Sequence, residues 1–295
     1  MCNHQITLIN PRYKKLSESL GHSVYHYSRF DDFRLRVPCG HCDDCLKKRS
    51  QQWFLRAQHI VDSLRLDPSR CYFCTFTLKP EVYEDAKEKP YLPIRRFLDR
   101  VRKHPRFRYR DPGTHRYRYR KVKFPYLFVV EFADGFRAAE RGLPSTHRMH
   151  YHAILFDPPL YWWQIRDLWS QNGISTVEPL KSMAGVRYVL KYMTKDCKEF
   201  QAITDVDRRK NGKLIASHGF GRLSKEDRRV MRDNMLRSDK SWFCMMVGNY
   251  PYSIPRYWKN ACIPPLESRC RNETQIPSIL RKMIEHEYPS SRGFT

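Results

Sequence analysis

The chain has 295 residues, with 55 Lys or Arg against 31 Asp or Glu, which gives a formal net charge of +24. A charge of that size favours a polyanionic partner, most simply nucleic acid, because the folded chain otherwise repels itself. With 41% hydrophobic and 14% aromatic residues the chain can build a core, so its composition excludes a disordered tail.

Three further classes of protein are disfavoured. No apolar run approaches the ~20 residues of a membrane-spanning helix, so we expect no membrane contact. The first residues carry no secretory signal, so we do not expect export, and the ten cysteines then favour metal binding over disulfides. No Gly-x4-Gly-Lys-Ser/Thr loop occurs, which disfavours a built-in P-loop motor.

Hydrophobic periodicity predicts a mixture of helices and strands after an irregular segment at 1–38. The predicted helices cover residues 46–66, a stretch opened by Pro93, and residues 161–171, 182–195 and 224–236. The predicted strands cover residues 71–78, 126–133, 149–156 and 174–177. Aromatic and basic residues alternate around a Pro-Gly turn at 106–124, which predicts a β-hairpin with aromatic faces opposite its arginines.

A candidate metal site lies in the predicted strand 149–156. His150 and His152 share one face of that strand because side chains alternate with a period of two, and paired imidazoles suit a metal ion. Glu131 is the one charged residue in the neighbouring apolar strand and could supply a third ligand. The alternative is a half-exposed strand with surface histidines, which the His-x-His pattern alone would favour.

Two tyrosines form a candidate nucleophile pair. Tyr188 and Tyr192 are four residues apart in the predicted helix 182–195, so they lie on one face, with Lys191 and Lys195 on its flank. Nearby ammonium groups and a metal would favour the phenolate and stabilise phosphate charge, which suits attack on a DNA phosphodiester. The alternative is a pair of surface tyrosines that covers the helix.

A cysteine cluster near the N-terminus has metal-ligand spacing. Cys39, Cys42 and Cys45 are separated by two residues each, which favours a structural Zn²⁺ over an iron–sulfur cluster or buried thiols. A fourth ligand is expected from Cys2, or else from His4 or His41. Two other cysteines with this spacing, at positions 71 and 74, should point to opposite faces of their strand as core residues.

The order of these motifs resembles that of the HUH endonucleases, the initiators of rolling-circle replication. The Thr-rich strand Thr75–Leu78 precedes the Glu131 strand, the His-x-His strand and the tyrosine helix. Tyrosines spaced by four with a lysine between them resemble specifically the initiators of the Microviridae, which are small single-stranded DNA bacteriophages. The segments 38–45, 49–53 and 254–258 are also similar to that family, whereas the basic hairpin and the Phe-Ala-Asp-Gly after Glu131 depart from it.

The resemblance covers roughly residues 37–260 and implies an α+β fold of the HUH nuclease type, which is RRM- or ferredoxin-like. We expect a central antiparallel sheet with flanking helices on one face, plus an N-terminal Cys-rich zinc element. Three regions are predicted: a Cys-rich region and helix at 1–68, a nuclease domain at 69–200 with the hairpin inserted at 106–124, and a basic C-terminal region at 201–295.

The resemblance also implies an activity. Mg²⁺ or Mn²⁺ held by His150, His152 and Glu131 would polarise a phosphate of the replicative-form DNA. Tyr188 or Tyr192, assisted by Lys191, would then nick the origin and keep the 5′-phosphate. The implied partners are single-stranded and replicative-form viral DNA together with a host DNA polymerase and helicase, in the cytoplasm of a bacterial host.

Two other functions remain open at this point. The protein could be a noncatalytic nucleic-acid-binding protein whose hairpin aromatic residues stack on bases, or a metal-dependent hydrolase that activates water at the His–Glu site. Only the nicking enzyme needs the tyrosine pair. The predicted DNA contacts are Arg106, Arg108, Arg116, Arg118 and Lys195.

Overall fold

A computed structural model describes residues 4–9, 34–40, 42–132, 142, 148–193, 213–237, 244–247 and 250–262. The helices are α1 (Asp43–Ser63), α2 (Pro80–Glu88), α3 (Tyr91–Arg102), α4 (Trp162–Trp169), α5 (Met183–Lys191), α6 (Lys225–Arg237) and α7 (Arg256–Cys262). The strands are β1 (Ile6–Ile9), β2 (Arg34–Val37), β3 (Tyr72–Thr77), β4 (Arg108–Arg110), β5 (Tyr117–Tyr119), β6 (Tyr126–Phe132), β7 (Met149–Leu155), β8 (Ser175–Pro179), β9 (Leu214–Ala216), β10 (Cys244–Val247) and β11 (Tyr250–Ser253).

The chain forms two compact units. One comprises Met1–Cys39, Leu223–Trp242 and Arg256–Thr295, and it contains the antiparallel pair β1–β2 and the helices α6 and α7. The other comprises Gly40–Arg222 and Phe243–Pro255 and contains the large sheet and the candidate site. Within the described parts of the chain, no helix is both long and apolar enough to cross a bilayer.

The large sheet has five antiparallel strands in the order β8-β3-β7-β6-β9, which places β7 at its centre. Every residue of β7 except the half-buried His150 is buried. A strand covered on both faces needs apolar side chains in both alternating positions, and β6 and β7 supply them. The predicted α+β fold with a central antiparallel sheet and flanking helices is therefore confirmed.

Helices pack on both faces of this sheet, so the expectation of helices on one face is wrong. On one face Phe76 packs against Phe97 of α3 and against Trp169 of α4, whose ring centroid lies 4.3 Å away. On the other face Val129 and Ile154 share a core cluster with buried residues of α1 and α5. The helix of the predicted N-terminal region 1–68 contributes its apolar stripe to this second layer.

Several short elements of the structure were not predicted from the sequence. Residues 1–38 were expected to be irregular, yet β1 and β2 pair there, and α2, β9, β10, β11 and α7 also lie outside the predicted elements. Strands of three or four residues are too short for alternation to identify. Each of these strands is stabilised by pairing with a partner strand, which a local pattern does not reveal.

The basic hairpin forms as predicted, but its faces are mixed. β4 pairs with β5 so that Arg108 lies opposite Tyr119 and Arg110 opposite Tyr117. Directly paired residues project from the same face of a ribbon, so each face carries both aromatic rings and guanidinium groups. The Arg108 guanidinium lies 3.8 Å from the centre of the Tyr117 ring. The expectation of arginines opposite the aromatic faces is wrong because the register depends on the long loop between the strands.

We expect Gly221→Ala to destabilise the protein by about 3 kcal/mol, measured by chemical denaturation. Gly221 has a φ of +60°, and an added Cβ would lie 2.6 Å from the backbone oxygen of Arg56 in α1. The matched control is Gly219→Ala. Gly219 also has a positive φ, +71°, but open space around it, so only the backbone strain of about 1 kcal/mol applies. Equal losses in the two variants would contradict this account.

Candidate active site

The sheet brings the two predicted histidines and Glu131 to one face. His150 and His152 project from β7 towards α1 and α5, and Glu131 on β6 lies directly opposite His150 in the strand register. The predicted antiparallel pairing of these two strands is confirmed. Glu131 and His152 are 8% and 7% exposed, so the polar pair is enclosed by the protein rather than presented on a surface.

Both ring nitrogens of His152 have partners. Its Nε2 lies 2.6 Å from Oε2 of Glu131, and its Nδ1 lies 3.3 Å from Oγ1 of Thr75, which is its register partner on β3. A carboxylate only accepts, so a neutral imidazole donates from Nε2 to Glu131 and accepts from the Thr75 hydroxyl at Nδ1. A divalent cation could replace the proton shared by His152 and Glu131, so this donor set fits a metal of that class.

His150 lies beside this pair and is less buried. Burial lowers the pKa of its imidazole, the Glu131 carboxylate opposes that effect, and the neighbouring His152 adds to it. A lowered pKa favours the neutral ring, which is the form that ligates metals. His150 also lines a cavity of about 310 Å³ together with Thr77, Lys79 and Arg148.

The three predicted ligands do not converge as closely as a formed metal site would. In the described part of the chain, the one group of three or more potential ligand atoms within 4.8 Å of one another is a different one, at the cysteines. His152 and Glu131 are in contact, and His150 is placed by the strand register beside them.

Helix α5 carries both tyrosines to the histidine strand. The Ser182 hydroxyl accepts a hydrogen bond of 3.2 Å from the backbone N–H of Ala184 and caps the N-terminus of the helix. Val186 and Val189 are buried on the inner face of the helix. The Tyr192 ring, just past the last helical residue, lies parallel to the His152 ring with centroids 3.9 Å apart and an angle of 6°. The sequence motifs that were separate in the chain thus meet in space.

The two phenols are in direct contact. The Tyr192 hydroxyl donates to the Tyr188 hydroxyl at 2.7 Å, and the two rings meet edge to face with centroids 5.3 Å apart. Tyr188 is 49% exposed and rests against Phe73 of β3, whereas Tyr192 is half-buried. One phenol of the pair is accessible to a substrate, and its oxygen already accepts a hydrogen bond from the other.

Lys191 lies on the exposed flank of α5, as its position in the sequence predicts. It lines a cavity of about 290 Å³ with Lys47 of α1 and Arg187 of α5. Arg187 was not among the predicted residues, although it donates to the Tyr252 hydroxyl at 2.9 Å and lies 4.2 Å from the centre of the Phe54 ring. No local sequence signal could have identified Arg187, because its partners are far away in the chain. Lys195 lies outside the described residues.

The cysteine cluster is present at the start of α1. The sulfur atoms of Cys39, Cys42 and Cys45 lie within 4.8 Å of one another, and Cys45 is buried. Three thiols at this spacing could hold a metal such as zinc. Cys2 and His41, two of the proposed fourth ligands, lie outside the described residues, and His4 is exposed.

Two other predictions concern cysteines and arginines. Cys71 and Cys74 are buried in the two different core clusters on opposite faces of the sheet, which confirms that they are core residues.

The predicted DNA contacts in the hairpin region are exposed: Arg106, Arg108, Arg116 and Arg118. Arg118 also forms an ion pair with Asp111 at 3.2 Å, which holds the turn of the hairpin.

Residues 71–197 match the family model of the replication-associated protein ORF2. The matched segment runs from the start of β3 past the end of α5 and contains Glu131, both histidines and both tyrosines. This similarity supports a role as a rolling-circle replication initiator and, in general terms, a nuclease or nicking activity on viral DNA. No curated protein and no solved structure matches the chain.

We expect Thr75→Val to weaken Mn²⁺ binding about tenfold in isothermal titration calorimetry, because the His152 ring would lose the hydroxyl that fixes its orientation. Thr176→Val is the matched control. Thr176 lies opposite Thr75 on β8 and is exposed, so the same change there should leave the affinity unaltered. An unchanged affinity in the Thr75 variant would exclude this role for the hydroxyl.

Proposed function

We propose that the protein is the replication initiator endonuclease of a small single-stranded DNA bacteriophage of the Microviridae type. It nicks the origin of the replicative-form DNA by tyrosine transesterification, retains the 5′ end as a phosphotyrosine and later rejoins the displaced strand. The observation that carries the proposal is the contact of Tyr192 with both His152 and Tyr188. Tyr192 stacks on a buried imidazole that itself contacts a buried carboxylate, and a tyrosine pair that only covers the helix surface does not require this arrangement.

The phenol contact provides a route to an activated nucleophile. As the Tyr188 proton leaves for solvent, the hydrogen bond donated by Tyr192 stabilises the forming phenolate. The Tyr188 oxygen then forms a bond to phosphorus while the bond from phosphorus to the 3′ oxygen breaks. The 3′ oxygen takes up a proton and leaves as a hydroxyl, which a host polymerase extends while a helicase unwinds the duplex.

Residues around the pair would hold the metal and the phosphate. His150, His152 and Glu131 would bind Mg²⁺ or Mn²⁺, which when bound neutralises charge on the scissile phosphate. Lys191 on the flank of α5 would attract the strand towards the tyrosines, and Lys195 is proposed to act with it. One phosphoester replaces another in each step, so rejoining requires no ATP.

Two phenols would allow repeated cleavage. When one tyrosine is esterified to DNA, the other must cut the regenerated origin, and the 2.7 Å between the hydroxyls lets both reach nearly the same phosphate position. The attack by the free 3′-hydroxyl on the first phosphotyrosine then closes the displaced circle. The roles of the two tyrosines would exchange in successive rounds.

The hairpin is proposed as a DNA contact. Its strands are solvent-exposed on both faces, and each face offers rings for stacking beside guanidinium groups for phosphates. Three of the four arginines predicted as contacts here already have partners: Arg118 is paired with Asp111, and the guanidinium groups of Arg106 and Arg108 lie 5.8 and 3.8 Å from the centres of the Tyr161 and Tyr117 rings. Arg116 would therefore contribute most. The cysteine cluster is proposed to hold a structural Zn²⁺ with Cys2 as the fourth ligand.

We expect both Tyr188→Phe and Tyr192→Phe to retain covalent adduct formation on single-stranded DNA with Mn²⁺, detected after denaturation in SDS. Each variant keeps its ring and one nucleophile, so the adduct should map by peptide mass spectrometry to the remaining tyrosine. The double variant should form none. Cleavage without an adduct in the wild type would indicate a hydrolase, and adducts confined to one tyrosine in every variant would exclude the alternating mechanism.

We expect about one zinc ion per purified chain, measured by elemental analysis, because thiolates prefer zinc to harder cations. Cys42→Ser should lose most of it and lower the unfolding temperature, since a structural metal contributes folding energy. Cys71→Ala is the matched control: it also removes a thiol but lies outside the cluster, so zinc should remain. Iron in place of zinc, or equal zinc in all three proteins, would contradict the assignment.

A further inference from the structure

A second basic feature lies at the end of the sheet where β6 begins. A cavity of about 880 Å³ opens where β6 begins, bounded by the ends of α1 and α3 and by the segment after β9. Six Lys or Arg residues line it: Arg102, Lys103, Arg120, Lys121, Lys123 and Arg222. No Asp or Glu occurs among the described residues of its lining. A concave surface of one sign concentrates its potential and attracts anions.

Aromatic rings accompany these cations. Tyr119 is 44% exposed at the rim, and Phe124 and Tyr126 meet edge to face within the lining with centroids 6.1 Å apart. Burial raises the pKa of Tyr126, while the charge of Arg102 and its hydrogen bond to the phenol oppose that effect. Cations for phosphates and rings for bases are the combination by which proteins hold unpaired nucleotides.

One wall of the cavity is fixed in advance by hydrogen bonds. The Arg56 guanidinium of α1 donates from Nε and Nη2 to the carbonyl oxygen of Phe220 at 3.0 and 2.6 Å. The N–H of Ser217 donates to the carbonyl oxygen of Tyr126, which ties the same loop to the start of β6. A pre-formed wall needs little ordering when a ligand binds, which favours affinity.

We propose that this cavity is a second binding site for single-stranded DNA, which takes an unpaired nucleotide with its flanking phosphates. The inference rests on the proposed function for the identity of the strand. The cations come from three separate segments of the chain, so they can contact more than one phosphate. The cavity begins at Tyr126. The Tyr192 ring stacks on His152, whose register partner Val129 lies three residues beyond Tyr126 along β6, which is ~10 Å at the usual rise of a strand.

The distance between the cavity and the tyrosines determines which nucleotide of the DNA strand the cavity binds. Stacked nucleotides advance ~3.4 Å each, so a stacked strand would place the bound nucleotide about three nucleotides from the phosphate at the tyrosines. A strand that is too short to span this distance reaches only one of the two sites. The cavity therefore adds affinity for long strands and leaves the chemistry at the tyrosines unchanged.

The test measures the salt dependence of binding to an oligo(dT) of about twenty nucleotides by fluorescence anisotropy, with both nucleophiles changed to Phe to prevent cleavage. The cavity variant carries Lys121→Gln, Lys123→Gln and Arg222→Gln. The control carries Lys48→Gln, Lys89→Gln and Arg95→Gln, which are exposed, lie outside the cavity and remove the same charge. Loss of three phosphate contacts should reduce the slope of log K against log salt by about 2 in the cavity variant and by less than half of that in the control. Equal reductions would overturn the proposal.

A second arm tests the base. An abasic strand of equal length keeps the phosphates and should bind at least about tenfold more weakly than oligo(dT). Tyr119→Ala should reduce the ratio of the affinity for oligo(dT) to the affinity for the abasic strand. Tyr91→Ala is the control and should leave this ratio unchanged, because Tyr91 is similarly exposed but lies outside the cavity. The same ratio in wild type and in the Tyr119 variant would show that the cavity binds only a polyanion, contrary to the proposal.

A third arm separates this proposal from the proposed function. Proteins with both tyrosines intact are given saturating random-sequence strands of about ten nucleotides, so that a weaker affinity for the strand does not limit adduct formation. Adduct formation by the cavity variant should equal that of the wild type. Loss of adduct formation in the cavity variant would show that the substituted cations act in the active site, and it would overturn the inference. If the wild type forms no adduct, the proposed function fails, while the salt slopes still decide the cavity.

Discussion

The contact between Glu131 and His152 constrains the whole sheet. A carboxylate that is 8% exposed is costly to bury without a polar partner, and the imidazole at 2.6 Å is that partner. A shift of β6 by one residue would remove the contact, because it would turn Glu131 to the other face, where Phe128 and Phe132 pack. Removing the imidazole would leave a buried charge at a cost of about 3–5 kcal/mol. Glu131 and His152, which form the centre of the candidate site, thus also favour this pairing of β6 with β7.

Two helical layers explain why the polar groups gather in one part of one face. Apolar side chains cover both surfaces of β7 from Ala153 to Leu155, so a polar side chain there would be buried among apolar neighbours. At His152, in the middle of β7, the Tyr192 ring covers the imidazole, and Glu131 and Thr75 supply polar partners. The position of the tyrosines is itself a result of packing, because buried Val186 and Val189 fix the rotation of α5.

The sequence was most informative where a period repeated over a whole element. Alternation identified β6 and β7 and the shared face of the histidines, and the spacing of four placed both tyrosines on one side of α5. Contacts between distant segments left no such signal. The hydrogen bond of Arg187 to Tyr252 and the second helical layer formed by α1 depend on how elements meet. The hairpin faces were mispredicted for the same reason: strand register is set by the loop, whereas alternation reports only each strand by itself.

This arrangement separates the cations that attract a DNA strand from the groups that are proposed to cleave it. The enclosed pair at Glu131 carries no excess positive charge, whereas the cations of the hairpin, of the flank of α5 and of the basic cavity are exposed or line that cavity. Exposed cations act over about a Debye length, so they attract a strand from solution and weaken with salt. The short contact between His152 and Glu131 is little affected by salt because both side chains are buried. Strand capture and phosphoryl transfer in the proposed function therefore depend on different residues, and solution conditions can change the first without changing the second.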